Sequence, residues 1–329
     1  MNEDESAATE MIYPLTTADP DVSRETDEPG EHDETPIAAA AAAAARIRGG
    51  RTEEWPRPPS TRVLTVANQK GGVGKTTTTV NTAAALALHG LRVLVIDLDP
   101  QGNASTALAV PHHAGERSVY EVLVEGEPLR SAIHEVEAVS GLACVPATID
   151  LAGAEIELVS LVARESRLQR ALSAFLNEEE GHGRRYDYVF IDCPPSLGLL
   201  TINAFVAAQE VFIPIQCEYY ALEGLGQLIR NVELIQAHLN PDLAVSTILL
   251  TMYDGRTRLA AQVAEEVRRH FGEVVLATAI PRSVRVSEAP SYSQTVLTYD
   301  PGSSGALSYV EAAREMAHRA TSAESGASQ

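Results

Sequence analysis

Short apolar runs that end in a carboxylate or a glycine-rich turn recur along this chain. Residues 63–67 (Val, Leu, Thr, Val, Ala) are apolar and β-prone and predict a buried strand. After a glycine-rich stretch, residues 75–89 predict a helix with Val80, Ala83, Ala84, Leu86 and Ala87 on a near-continuous apolar face. Residues 93–96 are again wholly apolar and stop at Asp97. Residues 186–191 stop at Asp192, and Pro194 and Pro195 then end the strand, because proline cannot donate to a ladder. Further strands are predicted over 211–216 and 248–252, with another leading into residues 280–290. Unbroken apolar runs, rather than alternating ones, mean strands covered on both faces. The pattern predicts an α/β fold: a doubly wound, mostly parallel sheet of about seven or eight strands with helices on both faces.

Residues 1–60 differ in kind. They hold 14 acids against 5 arginines, an alanine tract at 38–45 and Pro56, Pro58 and Pro59. So few large apolar residues cannot build a core, and the stretch is expected to be disordered apart from a short alanine-rich helix. The folded domain is expected over 61–320, its last part a short helix, with 321–329 as a disordered Ser/Ala/Gly tail. The acidic start disfavours a signal peptide. No apolar run approaches ~18 residues, so no membrane span is expected. Three scattered cysteines fit a reducing cytoplasm and lack metal-ligand spacing. The net charge of −20 argues against nucleic-acid binding by the whole surface.

The chemistry concentrates where the strands end. The chain has two lysines among 25 basic residues, Lys70 and Lys75, and both lie in Lys70-Gly71-Gly72-Val73-Gly74-Lys75, followed by Thr76 and Thr77. A GC-rich gene would make lysine rare everywhere. These two nevertheless sit where a compact point charge fits better than a planar guanidinium. Strand, glycine-rich turn and helix is the setting of a phosphate-binding loop. There Lys75 reaches the β- and γ-phosphates and the Thr76 hydroxyl ligates Mg²⁺. Asp97 and Asp99 end the second strand and Asp192 another, at the sheet edge where such folds bind ligands. Asp192 has the setting of a carboxylate that holds Mg²⁺ through water.

The loop departs from the general pattern, with Gln69 in place of glycine and the additional Lys70. In this it resembles the deviant Walker A family, KGGxGK[ST], which includes ParA/Soj partition ATPases, MinD and the nitrogenase iron protein. Asp97-Leu98-Asp99-Pro100-Gln101 and the runs at 211–224, 248–257 and 280–290 are similar to ParA/Soj in particular, over residues 61 to about 320. The resemblance implies an ATPase with ATP and Mg²⁺ as cofactors. It implies that Lys70 crosses a homodimer to the partner's nucleotide, that Asp99 orients the attacking water, and that Asp97 supports the metal and water shell. It places Pro281 and Arg282 beside the adenine. It also implies a ParB-like centromere-binding partner that stimulates weak hydrolysis, and a nucleoid-associated protein in the cytoplasm.

Arg256, Arg258, Arg268, Arg269, Arg282 and Arg285 fall close together in sequence. Composition alone favours a solvated face, since Glu265, Glu266, Glu273 and Glu288 intervene. The resemblance reverses this: Arg256, Arg258 and Arg285 would grip double-stranded DNA without sequence preference. A membrane-associated, MinD-like division-site regulator is the alternative, and the lack of a basic amphipathic C-terminal helix speaks against it. A polar or cytoskeletal partner for the N-terminal extension stays open. Residues 21–26 can be encoded by GATGTTTCACGTGAAACA, which holds a perfect inverted repeat, although many other codon choices spell the same peptide. The resemblance implies that such a repeat is a site for a ParB-like protein, and a dimeric reader needs that symmetry.

Overall fold

A computed structural model describes residues 54–325, with side chains through residue 320. In chain order the elements are β1 (Arg62–Val66), α1 (Lys75–Leu88), β2 (Val93–Asp97), α2 (Asn103–Ala107), β3 (His134–Glu135), β4 (Leu142–Val145), α3 (Leu151–Leu158), α4 (Arg167–Gly181) and β5 (Tyr188–Asp192). There follow α5 (Leu199–Ala207), β6 (Glu210–Gln216), α6 (Ala221–His238), β7 (Ala244–Tyr253), α7 (Arg258–Phe271), β8 (Val275–Pro281), α8 (Val284–Glu288), α9 (Val296–Tyr299) and α10 (Ser304–Ser325).

The strands form one sheet in the order β3-β4-β2-β5-β1-β6-β7-β8. Every neighbouring pair is parallel except β3 with β4. Strand side chains alternate between two cores. Val63, Leu94, Ile96 and Ile191 pack with Leu172, Phe205, Leu228 and Val263 from α4 to α7. Leu64, Val66, Val95 and Phe190 pack on the other face with Leu86 of α1 and Tyr309 and Met316 of α10. This is the doubly wound sheet that the unbroken apolar runs predicted. Because the strands are parallel, the loops after β1, β2, β4, β5 and β6 all emerge on one edge, and those loops carry the acids and the glycines.

Two boundaries are corrected. The expectation of disorder through residue 60 fails for residues 54–60. Trp55 is 5% exposed and stacks on His89 with ring centroids 3.7 Å apart, and its N–H donates to the His89 carbonyl at 3.1 Å. Arg57 binds Asp187 at 3.1 Å, and Arg185 donates to the Pro58 carbonyl at 2.6 Å. Prolines cannot donate but their carbonyls accept, and one buried indole gives this acidic stretch the apolar anchor its composition conceals. At the other end, α10 runs to Ser325, past the expected limit at 320. The alanine tract and residues 21–26 lie outside the described residues.

Candidate functional site

The glycine-rich loop joins β1 to α1, and its conformation is set by residues far away in sequence. Gly72 and Gly74 take φ of +73° and +89°, which side-chain-bearing residues rarely adopt. Nothing lies within 4 Å of where a Cβ on Gly71 or Gly72 would stand, so the loop's concave side is clear. Asn68 braces the loop: its amide donates to the Pro214 carbonyl at 2.9 Å, and its Oδ1 accepts from Lys70 N at 3.0 Å. From β7, the Thr251 hydroxyl donates to the Val73 carbonyl at 2.8 Å. Val73 itself points into the core. Lys75 is buried, with Nζ 3.4 Å from the Lys70 carbonyl. Burial lowers its pKa, while Asp192 and Asp99 work in the opposite direction.

A cavity of about 370 Å³ opens above this loop, walled by Gly71, Gly72, Gly74, Lys75, Thr76, Thr77, Asp99, Met252 and Pro290 among others. Behind it lie Asp97 and Asp192, cross-strand neighbours on β2 and β5 and both fully buried. Asp97 accepts from Ser105 N at 2.9 Å, Ser105 Oγ at 2.7 Å and Asp99 N at 3.1 Å. It therefore fixes the turn that presents Asp99. Asp192 Oδ1 accepts from the Thr79 hydroxyl at 3.0 Å, whereas its Oδ2 is buried with no hydrogen-bond partner. Burial and then the facing Asp97 raise its pKa, against the Thr76 and Thr79 hydroxyls and Lys75. Burial likewise raises that of Asp97. Among the described residues no cluster of three or more His, Cys, Asp or Glu could hold a metal. One orphaned carboxylate oxygen beside a threonine hydroxyl fits instead a cation that arrives with phosphate oxygens of its own.

Lys70 touches Lys75 through its backbone carbonyl, but its ammonium is engaged elsewhere. Its side chain is 41% exposed and bonds Glu218 Oε2 at 2.6 Å, outside its own cavity. Pro281 and Arg282 do not line the cavity. Pro281 ends β8, three strands from β1, and Arg282 follows it, its N donating to the Tyr253 carbonyl at 3.2 Å. Met252 and Pro290 stand in that wall instead. Met252, at φ +50°, is a non-glycine residue in the left-handed region, which no sequence pattern signals. Asn103 and Thr106 were also missed, although both follow closely on the Asp97–Asp99 turn.

The arginines fall on the segments that follow β7 and β8. Arg256 is 90% exposed and bonds both oxygens of Asp254 at 2.8 Å. Arg258 is exposed at the start of α7. Arg285 binds Glu288 at 3.0 Å and Asp300 at 3.3 Å. A second cavity, of about 430 Å³, lies between Gly126–Arg130 and α4 and carries none of the phosphate-binding groups.

Residues 61–245 match the family model described as an AAA domain. The sporulation initiation inhibitor protein Soj of Bacillus subtilis is 52% identical over 256 residues, covering 78% of this chain and 98% of the relative. The chromosome partitioning protein ParA of Caulobacter vibrioides is 50% identical over 258 residues, covering 78% and 94%. Among solved structures, a cobyrinic acid a,c-diamide synthase from Mycobacterium smegmatis with bound ADP and magnesium is 40% identical, with a TM-score of 0.64 over 77% of this chain and 92% of that one. The septum site-determining protein MinD of Pyrococcus horikoshii, complexed with Mg-ADP, is 25% identical, with a TM-score of 0.60 over 78% and 96%. With the loop, the paired carboxylates and the parallel sheet in place, these likenesses settle the family: the chain belongs to the ParA/Soj group of partitioning P-loop ATPases.

Proposed function

We propose that this chain is a DNA-partitioning ATPase that ATP joins into a face-to-face homodimer. The observation that carries the reading is Lys70: a second lysine on the phosphate loop, exposed and turned out of its own cavity. A charge there is useful to a nucleotide held by another copy. The backbone N–H groups of residues 71–77 and the Lys75 ammonium hold the phosphates. Thr76 and Asp192 are the residues that would hold Mg²⁺, which would supply charge neutralisation for the triphosphate when bound. Asp97 holds the turn that carries Asp99, and Asp99 orients the attacking water. Arg256, Arg258 and Arg285 grip DNA phosphates without reading sequence. The ATP-bound dimer sits on the nucleoid in the cytoplasm, and a ParB-like partner stimulates hydrolysis and so releases the DNA. The membrane-bound, MinD-like reading has less support, with 25% identity to MinD against 52% to Soj. Among the described residues no helix is long and apolar enough to cross a membrane.

Three variants test the scheme by size-exclusion chromatography with light scattering and by nucleotide binding. Lys75→Ala loses ATP binding. Lys70→Ala binds ATP and stays monomeric. Asp99→Ala binds ATP and stays dimeric. In the same series Arg256→Glu and Arg285→Glu weaken DNA binding on all sequences and leave the dimer intact. An Asp99→Ala protein that remains monomeric in saturating ATP contradicts the reading.

A further inference from the structure

Helix α2 has one face on the nucleotide cavity and another on the acids behind it. Asn103, Thr106 and Ala107 stand in the cavity wall. Between them Ser105 turns inward, with no exposure to solvent. A buried hydroxyl is costly unless it has partners, and this one uses both its proton and a lone pair. Ser105 Oγ donates to Asp97 Oδ2 at 2.7 Å and accepts from Ala147 N at 3.1 Å. Its backbone N–H donates to the same Oδ2 at 2.9 Å. The Ala147 N–H can only donate, so the hydroxyl proton is left for the carboxylate.

The two oxygens of Asp97 are thereby divided. Oδ2 is held by both donors of Ser105, and Oδ1 accepts from Asp99 N at 3.1 Å. A carboxylate rotates over a broad range about its last side-chain bond, so anchoring Oδ2 sets where Oδ1 stands. Beyond Asp99 N the chain bends tightly: Gln101 N donates to Asp99 Oδ1 at 3.0 Å and Gly102 N to the Asp99 carbonyl at 2.9 Å. The place of Asp99 in the cavity wall therefore depends on a hydroxyl in the helix that follows it.

The same hydroxyl ties this bend to the sheet. α2 is five residues long, too short to hold its place by its own hydrogen bonds. Gly102, at φ +62°, lies so close to the segment after β4 that a Cβ would come within 3.2 Å of the Ala147 carbonyl. Ser105 bonds the N–H of that same alanine. The phosphate loop, by contrast, is braced separately, by Asn68 and Thr251.

We propose that Ser105 is a positioning residue for ATP hydrolysis: through Asp97 it fixes the bend from which Asp99 orients the attacking water. This rests on the role given to Asp99 above and adds the group that sets its aim. A hydroxyl that served only general packing would affect nucleotide binding and hydrolysis together. One that aims Asp99 affects the chemical step and leaves the phosphate loop as it is.

Ser105→Ala and Ser105→Cys test this in the full chain. Cysteine fills the space but bonds weakly, so the pair separates hydrogen bonding from volume. Both variants should bind Mg-ATP within about twofold of wild type and show a kcat lower by about tenfold or more, since small errors of placement cost rate steeply. Hydrogen–deuterium exchange of the nucleotide-free protein gives a readout apart from activity. Exchange should quicken over residues 98–107 in both variants and stay unchanged over 68–78. A wild-type kcat in either variant overturns the proposal. So does slow hydrolysis with unchanged exchange over 98–107, because Asp99 would then have kept its place. Exchange that quickens over 68–78 as well, with ATP affinity falling alongside kcat, overturns it in favour of general packing. An Asp99→Ala protein that hydrolyses ATP at the wild-type rate overturns the role of Asp99 and, with it, that of Ser105.

Discussion

The two edges of the sheet bury the same kind of residue and treat it in opposite ways. At the amino-terminal edge, Asp187 and Glu179 are buried and ringed by guanidinium groups. Asp187 meets Arg57 and Arg185 at 3.1 and 3.4 Å, and Glu179 meets Arg92, Arg130 and Arg184 at 2.9, 2.6 and 2.9 Å. At the carboxyl-terminal edge, Asp97 and Asp192 are just as buried and face each other, with Lys75 as the near cation and one oxygen of Asp192 unpartnered. The carboxyl pKa values follow. Burial alone would raise that of Glu179, yet the arginines outweigh it and bring it down to about 2. Those of Asp97 and Asp192 go up. A buried acid with its counter-charges built in serves the fold; one left short of them serves something that arrives later.

The largest effect that follows is on ligand binding. Asp192→Asn removes a buried charge for which the fold has no full partner, so the nucleotide-free protein should melt no lower than wild type. It should lose most of the thermal shift that Mg-ATP gives the wild-type chain, a shift set by the ratio of ligand concentration to Kd. Differential scanning fluorimetry with Mg-ATP and with ATP plus EDTA separates the two. A variant that melts well below wild type without nucleotide, yet keeps the full Mg-ATP shift, would erase the contrast between the edges.

Glu179→Gln probes the other edge. Its side chain is 2% exposed, and removing its charge takes the shared counter-charge from three arginines that are themselves 29%, 44% and 54% exposed. Because these guanidinium groups keep contact with water, the loss should be about 2 kcal/mol, with ATP affinity unchanged. The pH dependence has a definite sign. The folded carboxyl titrates near 2 and the unfolded one near 4.5, so its contribution is complete above 4.5 and is lost as pH falls toward 2. Wild type and variant should therefore differ most at pH 7, less as pH falls below about 4.5, and converge only near pH 2 in denaturant melts. A gap that stays constant with pH removes the electrostatic account.

Truncation probes residues 54–60. Deleting residues 1–60 takes away Trp55, Arg57 and the carbonyls that Arg185 uses, whereas deleting 1–53 leaves them all. Losing a buried aromatic costs about 3 kcal/mol or somewhat more. The shorter deletion should melt with the full chain and the longer one below it. Equal melting of the two truncations means the strap adds nothing. Trp55 is the one tryptophan in the sequence, so its fluorescence reports release of the strap directly.

The same contrast explains what could be read before the fold was known. The phosphate loop, Asp97, Asp99 and Asp192 were legible because each stands at the end of an unbroken apolar run, where pattern and chemistry coincide. β3 and β4 were not, at two and four residues, and neither were α3 and α4 between the second and third acids. Trp55 was hidden among prolines and acids. The braces on the loop join residues 146 and 178 positions apart, Asn68 with Pro214 and Val73 with Thr251, and only tertiary structure brings them together. Met252 acquires its left-handed backbone from the fold, without a glycine to announce it.

The smallest effect concerns ion pairs that are neither buried nor short of partners. Arg285 is 55% exposed and is held by Glu288 and Asp300, with the Glu288 carboxylate also 3.4 Å from the Tyr299 hydroxyl. Exposed pairs of this kind contribute little to stability, since water and salt compete for both charges. Glu288→Gln should leave the melting temperature where it is. If Arg285 contacts DNA phosphates, the substitution also removes a competing anion and one repelling charge. Non-specific DNA binding should then tighten by a few-fold at low salt, and the gain should shrink as ionic strength rises. Fluorescence anisotropy with a labelled duplex, in the presence of ATP, measures this. A drop in melting temperature comparable to that of Glu179→Gln would mean that an exposed acid on this edge serves the fold after all. Unchanged DNA binding would place Arg285 outside the DNA contact, and the arginine group after β7 would then have to account for it.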